Sequence, residues 1–222
     1  VMLPDLAIGS RGPVKSVLLL STIPIEKLGE RSILVTAETH TSAALLRVVL
    51  ERVYGLTPRF RTATGSVRQA MAEGASEPAA LAIGDEALAL RTDRRFPFQL
   101  DLGEVWRDWT GLPFVFGVWV ARRESAQANP EAMAQAAALL RRAKRAGVAA
   151  IEEMATLAAL RYAQLRRSEI RRYFDRLSYD LGPEEREGLS RFFDCLAEHG
   201  IIEKAPALEI LEADENEVDS HP

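Results

Sequence analysis

"SILVTAETHTSAALLRVVLERVYG", residues 32–55, changes its apolar period part-way along. Residues 32–37 are a short continuous apolar run rich in β-branched side chains, the pattern of a buried strand. From Ala43 the apolar positions Leu46, Val49, Leu50 and Val53 recur at helical spacing. Thr39, Thr41 and Ser42 stand where a helix N-cap belongs, and Gly55 stands at the C-cap. The stretch therefore predicts strand, polar turn and helix.

The same order repeats downstream. "PRFRTA" (58–63) predicts a weaker strand, "SVRQAMAEG" (66–74) a short helix closed by Gly74, and "AALAIG" (79–84) a buried strand. "DEALALR" (85–91) predicts another helix, with Asp85 and Glu86 favouring its N-terminus. Upstream, "SVLLLS" (16–21) follows Gly12-Pro13 and predicts a further buried strand. Strands alternating with helices at this spacing imply an α/β fold with parallel βαβ units. From Pro130 to Arg167 the sequence is alanine-rich and helical, with a break expected near Gly147. Helices are expected at 168–177 and 183–199, and 206–222 is expected to be an acidic, disordered tail.

One segment resists this reading. "VWRDWTGLPFVFGVWVARRE" (105–124) holds all three tryptophans and two of the eight phenylalanines. Its second half predicts a core strand that buries Phe116, Val118 and Val120. Trp106 and Trp109 precede that strand, where bulky rings could wall a cleft.

Composition narrows the function classes. A chain of 222 residues that is 47% apolar and 27% charged has the make-up of a soluble globular protein. A formal charge of −4 argues against nonspecific nucleic-acid binding. No run of about 18 apolar residues is present, so no membrane association is expected. Cys195 is the single cysteine and sits on an amphipathic helix, which fits a small buried apolar residue. Three histidines and one cysteine make a metal site improbable, and the sequence has no P-loop, no dinucleotide fingerprint and no serine-hydrolase elbow. We therefore expect no metal and no cofactor.

In open α/β sheets ligands bind beyond the carboxyl ends of strands, against helix N-termini. Two turns meet that description. In "TAETHTSAAL" the hydroxyls of Thr39, Thr41 and Ser42 join unpaired helix N–H groups, an arrangement that suits a carboxylate or phosphate or serves as a plain N-cap. In "AIGDEAL" Gly84 permits close backbone approach, and Asp85 either accepts a ligand hydroxyl or caps its helix. "GSRGPVKS" (9–16) adds Arg11, Lys15 and Ser16 before a strand; its cations either attract an anion or lie in a solvated turn. His40 is read as an exposed residue beside the N-cap, and the arginines of "LRRSEIRRYFDRL" as a solvated helix face.

Read in order, "LPDLAIGSRGPVKSVLLLS", "TAETHTSAALL", "AIGDEAL" and "WTGLPFVFGVWVARR" resemble the chorismate dehydratase family of the futalosine route to menaquinone, closely over residues 3–124 and loosely beyond. The resemblance implies a two-lobed, periplasmic-binding-protein-like (type II) α/β fold with mixed sheets and a helical C-terminal part. It implies a first lobe of residues 1–22 and 115–205, lacking its N-terminal portion, and an inserted lobe of 23–114. "SVLLLS" and "FVFGVWV" would be the crossings between them. Family members carry, in the N-terminal portion, an asparagine that faces the substrate, so no catalytic residue is assigned here. The implied substrate is dianionic chorismate, converted to 3-[(1-carboxyvinyl)oxy]benzoate and water in the cytoplasm, with Ser16, Thr41, Ser42, Gly84 and Asp85 as substrate contacts. Rival readings are a non-catalytic solute-binding protein for a small carboxylate and the sister 1,4-dihydroxy-6-naphthoate synthase. Members of the synthase family place a histidine in the cleft, and neither His40 nor His199 is expected there.

Overall fold

A computed structural model describes residues 1–162 and 165–211. They build two sheets. The larger has five strands: β2 (Val17–Ser21), β3 (Ser32–Thr36), β4 (Arg59–Ala63), β5 (Ala79–Ile83) and β6 (Phe98–Asp101), in the spatial order β4-β3-β5-β2-β6. β3 runs parallel to β4 and β5, as the βαβ reading requires, whereas β2 is antiparallel to both β5 and β6. The smaller sheet has β1 (Met2–Ser10) between β7 (Phe114–Val120) and β8 (Leu177–Ser178), antiparallel to both. The larger sheet is mixed and the smaller one antiparallel.

Helices cover the larger sheet and dominate the C-terminal half. α1 (His40–Val53), α2 (Val67–Ala72), α3 (Gly84–Leu90) and α4 (Leu102–Thr110) belong to the first half. α5 (Arg123–Ala128), α6 (Pro130–Ala149), α7 (Ile151–Arg161), α8 (Arg167–Phe174) and α9 (Pro183–Glu198) follow. Each of the expected helices is present, but the break in the alanine-rich segment falls at Ala150, and Gly147 lies inside α6. Within the segment 206–222 expected to be a tail, residues 209–211 are held: the Met2 amide donates to Glu209, the Leu211 amide donates to Met2, and Ile210 bridges Met2. Residues 212–222 lie outside the described residues.

The strand expected as the outgoing crossing pairs within the larger sheet. All five residues of β2 are buried, and its backbone is bonded on both sides within the larger sheet. Val17–Ser21 therefore belongs to the larger sheet, and the chain passes between sheets at Arg11–Ser16 and returns at Gly111–Pro113. The reason is hydrogen bonding: a fully buried strand pairs along both edges, so β2 sits inside a sheet and not between two.

Both crossings are pinned from α4. Asp101 caps that helix, its carboxylate accepting the amides of Gly103 and Glu104 at 3.1 and 3.3 Å. The same carboxylate accepts the amides of Val14 and Lys15 at 3.1 and 2.8 Å, fixing the outgoing crossing, in which Lys15 has φ 65°. Gly111 ends α4 in the left-handed region, with φ 72°, where glycine avoids the Cβ clash. The indole N–H of Trp106, fully buried, donates to the Pro113 carbonyl at 3.2 Å across the return crossing.

These contacts explain the aromatic stretch. Trp106 packs edge-on against Trp109, Phe114 and Phe192, with ring centroids 5.3–6.0 Å apart. It joins α4 of the larger sheet to β7 and α9 of the smaller one and lines no cleft. Of the three positions expected to be core, Phe116 and Val118 are half-buried and Val120 is exposed, because β7 is an edge strand that leaves the core after Val115. Cys195 is fully buried, and burial pushes its thiol pKa up, consistent with a packing role.

Candidate functional site

A cavity of about 360 Å3 opens where the two sheets meet, in the size range of small-molecule sites. Ser16, Thr41, Ser42 and Gly84, four of the five expected contacts, line it together. They come from three separate strand ends: Ser16 precedes β2, Gly84 follows β5, and Thr41 and Ser42 open α1 after β3.

Each is held by local backbone geometry. The Gly84 amide donates to the Ser16 carbonyl at 2.7 Å, tying the two strand ends together, and Gly84 has φ 56°, which favours glycine. Asp101 holds the two residues immediately before Ser16. At α1, Thr39 is the N-cap, but its hydroxyl donates backwards to the Thr36 carbonyl at 2.7 Å and caps no amide. The first-turn N–H groups of this fourteen-residue helix are thus left without a side-chain cap beside the cavity, an arrangement that favours a bound anion.

Asp85, the fifth expected contact, is not among the lining residues. Its carboxylate interacts with the Tyr162 hydroxyl just past α7, raising that phenol's pKa. This contact and the Arg91–Glu169 ion pair at 3.2 Å tie the α7–α8 segment to α3 of the larger sheet. Arg11 is likewise committed elsewhere: its guanidinium pairs with Glu184 and Glu185 at the start of α9, at 2.5 and 2.7 Å. Lys15 Nζ lies 4.0 Å from Asp101. Arg166, Arg167 and Arg171 engage Glu152, Glu169 and Asp175, so that face is salt-bridged as well as solvated.

The lining also contains residues that sequence reasoning did not select: Glu38, Phe116, Leu177 and Tyr173. Tyr173 comes from α8, some 130 positions from α1, within an arginine-rich stretch that reads as an outer face. His40 lines the cavity too, as the first residue of α1. It is exposed beside the N-cap, as expected, but the turn after β3 wraps the cavity, so His40 borders the candidate site. His199 does lie elsewhere, at the end of α9, with Nδ1 2.5 Å from Glu51. No lysine or arginine is among the residues lining this cavity.

A second groove, of about 370 Å3, runs between β1 and α6–α7 and is walled by Leu6, Ile8, Trp119, Leu140 and Val148. Its one basic lining residue, Lys144, is tied to Asp5 and Asp180 at 2.9 and 2.8 Å. The first cavity, with several hydroxyls and free helix amides, matches a small anion far better. Among the described residues, no group of three or more His, Cys, Asp or Glu is placed to hold a metal ion. No helix among them is long and apolar enough to cross a membrane.

A family model for menaquinone biosynthesis matches residues 1–198. The chain belongs to the menaquinone biosynthesis family. A curated relative, the chorismate dehydratase of Thermus thermophilus, is 30% identical over 210 residues, covering 88% of this chain and 73% of the relative. Two solved structures share the fold of this family member. The periplasmic aliphatic sulphonate-binding protein SsuA of Escherichia coli superposes with a TM-score of 0.54 at 18% identity, covering 90% of this chain and 71% of its own. A protein of Archaeoglobus fulgidus superposes with a TM-score of 0.57 at 17% identity, covering 91% of this chain and 73% of its own. The periplasmic-binding-protein-like fold expected from the sequence is therefore the fold observed. In this family member, the cavity lies beyond the carboxyl ends of β3 and β5.

Proposed function

We propose that this member of the menaquinone biosynthesis family is a chorismate dehydratase of the futalosine route, acting in the cytoplasm on chorismate as a dianion. The observation that carries the reading is the convergence of Ser16, Thr41, Ser42 and Gly84 on one cavity, in a chain 30% identical to a chorismate dehydratase. We place the lobe boundaries at the crossings 11–16 and 111–113, so that ligand is held between the lobes.

The reaction removes a ring proton and the ring hydroxyl, and the freed electron pair completes the aromatic ring of 3-[(1-carboxyvinyl)oxy]benzoate. Aromatisation supplies the driving force, so the protein's task is to orient the diene and stabilise developing charge. One carboxylate is assigned to Thr41, Ser42 and the free amides of α1, whose macrodipole favours negative charge there. Ser16, buried and rigidly placed by Gly84 and Asp101, is assigned a second polar contact. Asp85, whose carboxylate interacts with Tyr162, is assigned no direct contact. The substrate's own enolpyruvyl carboxylate is the proton acceptor in this reading.

The expected outcome of Ser16→Ala is a kcat/KM for chorismate reduced by about 1–3 kcal/mol in transition-state stabilisation, the range for one lost buried hydrogen bond. Initial rates across a chorismate series measure it. An unchanged kcat/KM removes Ser16 from the site.

The position of His40 favours one second reading, the sister 1,4-dihydroxy-6-naphthoate synthase, whose relatives use a cleft histidine as base. Substrate choice together with His40→Ala separates the two: the dehydratase reading expects chorismate turnover that persists in the variant, whereas no chorismate turnover and a His40-dependent turnover of the synthase's futalosine-derived substrate would favour the synthase.

A further inference from the structure

Tyr173 is the one phenol lining the cavity among the described residues, and it reaches the cavity from a helix that none of the other assigned contacts shares. α8 is anchored at both ends of the problem. Its Glu169 pairs with Arg91 of the larger sheet's helices, and its Arg171 pairs with Glu152 of α7 at 2.7 Å. That anchoring sets the phenol beside Ser16, with whose hydroxyl it interacts. Burial and the nearby Asp85 charge raise the phenol's pKa, against the opposing effect of Ser16, so it remains a neutral donor.

A dianion needs two sets of donors, and among the described residues no lysine or arginine lines this cavity. The α1 end supplies one set. The second must be built from neutral hydroxyls, and Ser16 with Tyr173 is the pair that the fold brings together. We propose that Tyr173 is a substrate-binding residue, its phenol and the Ser16 hydroxyl forming one donor pair that holds a carboxylate of the ligand, separate from the donors at the start of α1. The proposal rests on the dehydratase reading for its ligand. It also gives α8 a role: the helix carries a contact across to the strand end that presents Ser16.

The test compares the wild-type protein with Tyr173→Phe, which keeps the ring and removes only the hydroxyl. Chorismate affinity is measured by calorimetry, turnover by the aromatic product, and folding by thermal melting. The expected result is a KM and Kd raised about tenfold or more, with the melting temperature unchanged, as for loss of one hydrogen bond to a charged acceptor. The Ser16→Ala/Tyr173→Phe double variant is expected to lose less than the product of the two single losses. Unchanged affinity in Tyr173→Phe, or a fall in kcat confined to a destabilised variant with KM unaltered, overturns the proposal while leaving the dehydratase reading standing. A wild-type protein that neither binds nor converts chorismate overturns that reading and the proposal with it. If Tyr173→Phe does not fold, a crystal structure of the wild type with chorismate decides. A phenol oxygen within about 3.2 Å of a ligand oxygen supports the proposal, and one beyond about 4 Å overturns it.

Discussion

Asp101→Ala is expected to lower the free energy of unfolding by about 3–5 kcal/mol, in urea titrations followed by circular dichroism. Its carboxylate accepts four backbone amides, two at the α4 N-terminus and two in the crossing before Ser16. Loss of an N-cap costs about 1 kcal/mol. Hydrogen bonds to a charged acceptor contribute about 1.5–3 kcal/mol each, and a buried amide left unpaired adds its desolvation cost. These losses share one group and do not simply add, which sets the range. Only 6% of Asp101 is exposed, so water cannot readily replace the lost oxygens. The same variant is expected to reduce kcat/KM beyond what its lower stability explains, because Lys15, held at positive φ, no longer aims Ser16 at the cavity. Asp101→Asn divides the two effects. Oδ1, which accepts from Val14, Gly103 and Glu104, can be kept, while the amide group would face the Lys15 N–H as a second donor. The asparagine variant should therefore retain most of the stability and still lose activity. An asparagine variant as active as wild type would show that the Lys15 contact does not position Ser16.

Trp106→Ala is the second large effect, expected to cost about 3–5 kcal/mol in unfolding free energy, the range for deleting a fully buried tryptophan. Trp106 has no exposed surface, touches three other aromatic rings, and donates its indole N–H to Pro113. Truncation leaves a cavity at the seam between α4, β7 and α9 and an unpaired carbonyl on the return crossing. Trp106→Phe should recover part of the loss, since it refills most of the volume without restoring the hydrogen bond. A loss below about 1 kcal/mol for the alanine variant would mean that the seam is not held by this cluster.

How much of this was legible in the sequence depended on the range of the signal. The unit β3–turn–α1 was legible, because a switch from a continuous apolar run to helical spacing is written in consecutive residues. β5 with its turn at Gly84 was legible for the same reason. β1 was not: Pro4 and Asp5 interrupt "MLPDLAIGS", and Asp5 takes φ 57° where the register with β7 slips. α4 was also missed, because "LGEVWRDWT" places its capping Asp101 inside what ends as a four-residue strand. The apolar run "SVLLLS" correctly marked a strand, but not which sheet would pair it, since strand pairing depends on residues far along the chain.

The site divides the same way. Ser16, Thr41, Ser42 and Gly84 lie at strand ends, where α/β topology makes ligand contacts expected, and the fold brings them together. Asp85 is one residue further along and is engaged by Tyr162. Tyr173 and His40 were beyond reach for different reasons. Tyr173 sits among charged residues whose pattern describes the outer face of α8, and only the place that α8 takes in the folded chain brings its ring to the cavity. His40 carries no local sign distinguishing a helix start in solvent from one facing a cleft. Trp106 shows the reverse error, a ring whose rarity suggested chemistry and whose place is a structural seam.

The central claim is that the cavity between the sheets binds chorismate and eliminates water from it. Incubation of the purified protein with chorismate, followed by ultraviolet spectroscopy and mass spectrometry of the small-molecule fraction, tests it most directly. The expected result is conversion of chorismate to an aromatic product lighter by one water, at a rate that falls in Ser16→Ala. Chorismate recovered unchanged, even when it binds, would contradict the claim and leave a solute-binding protein in its place.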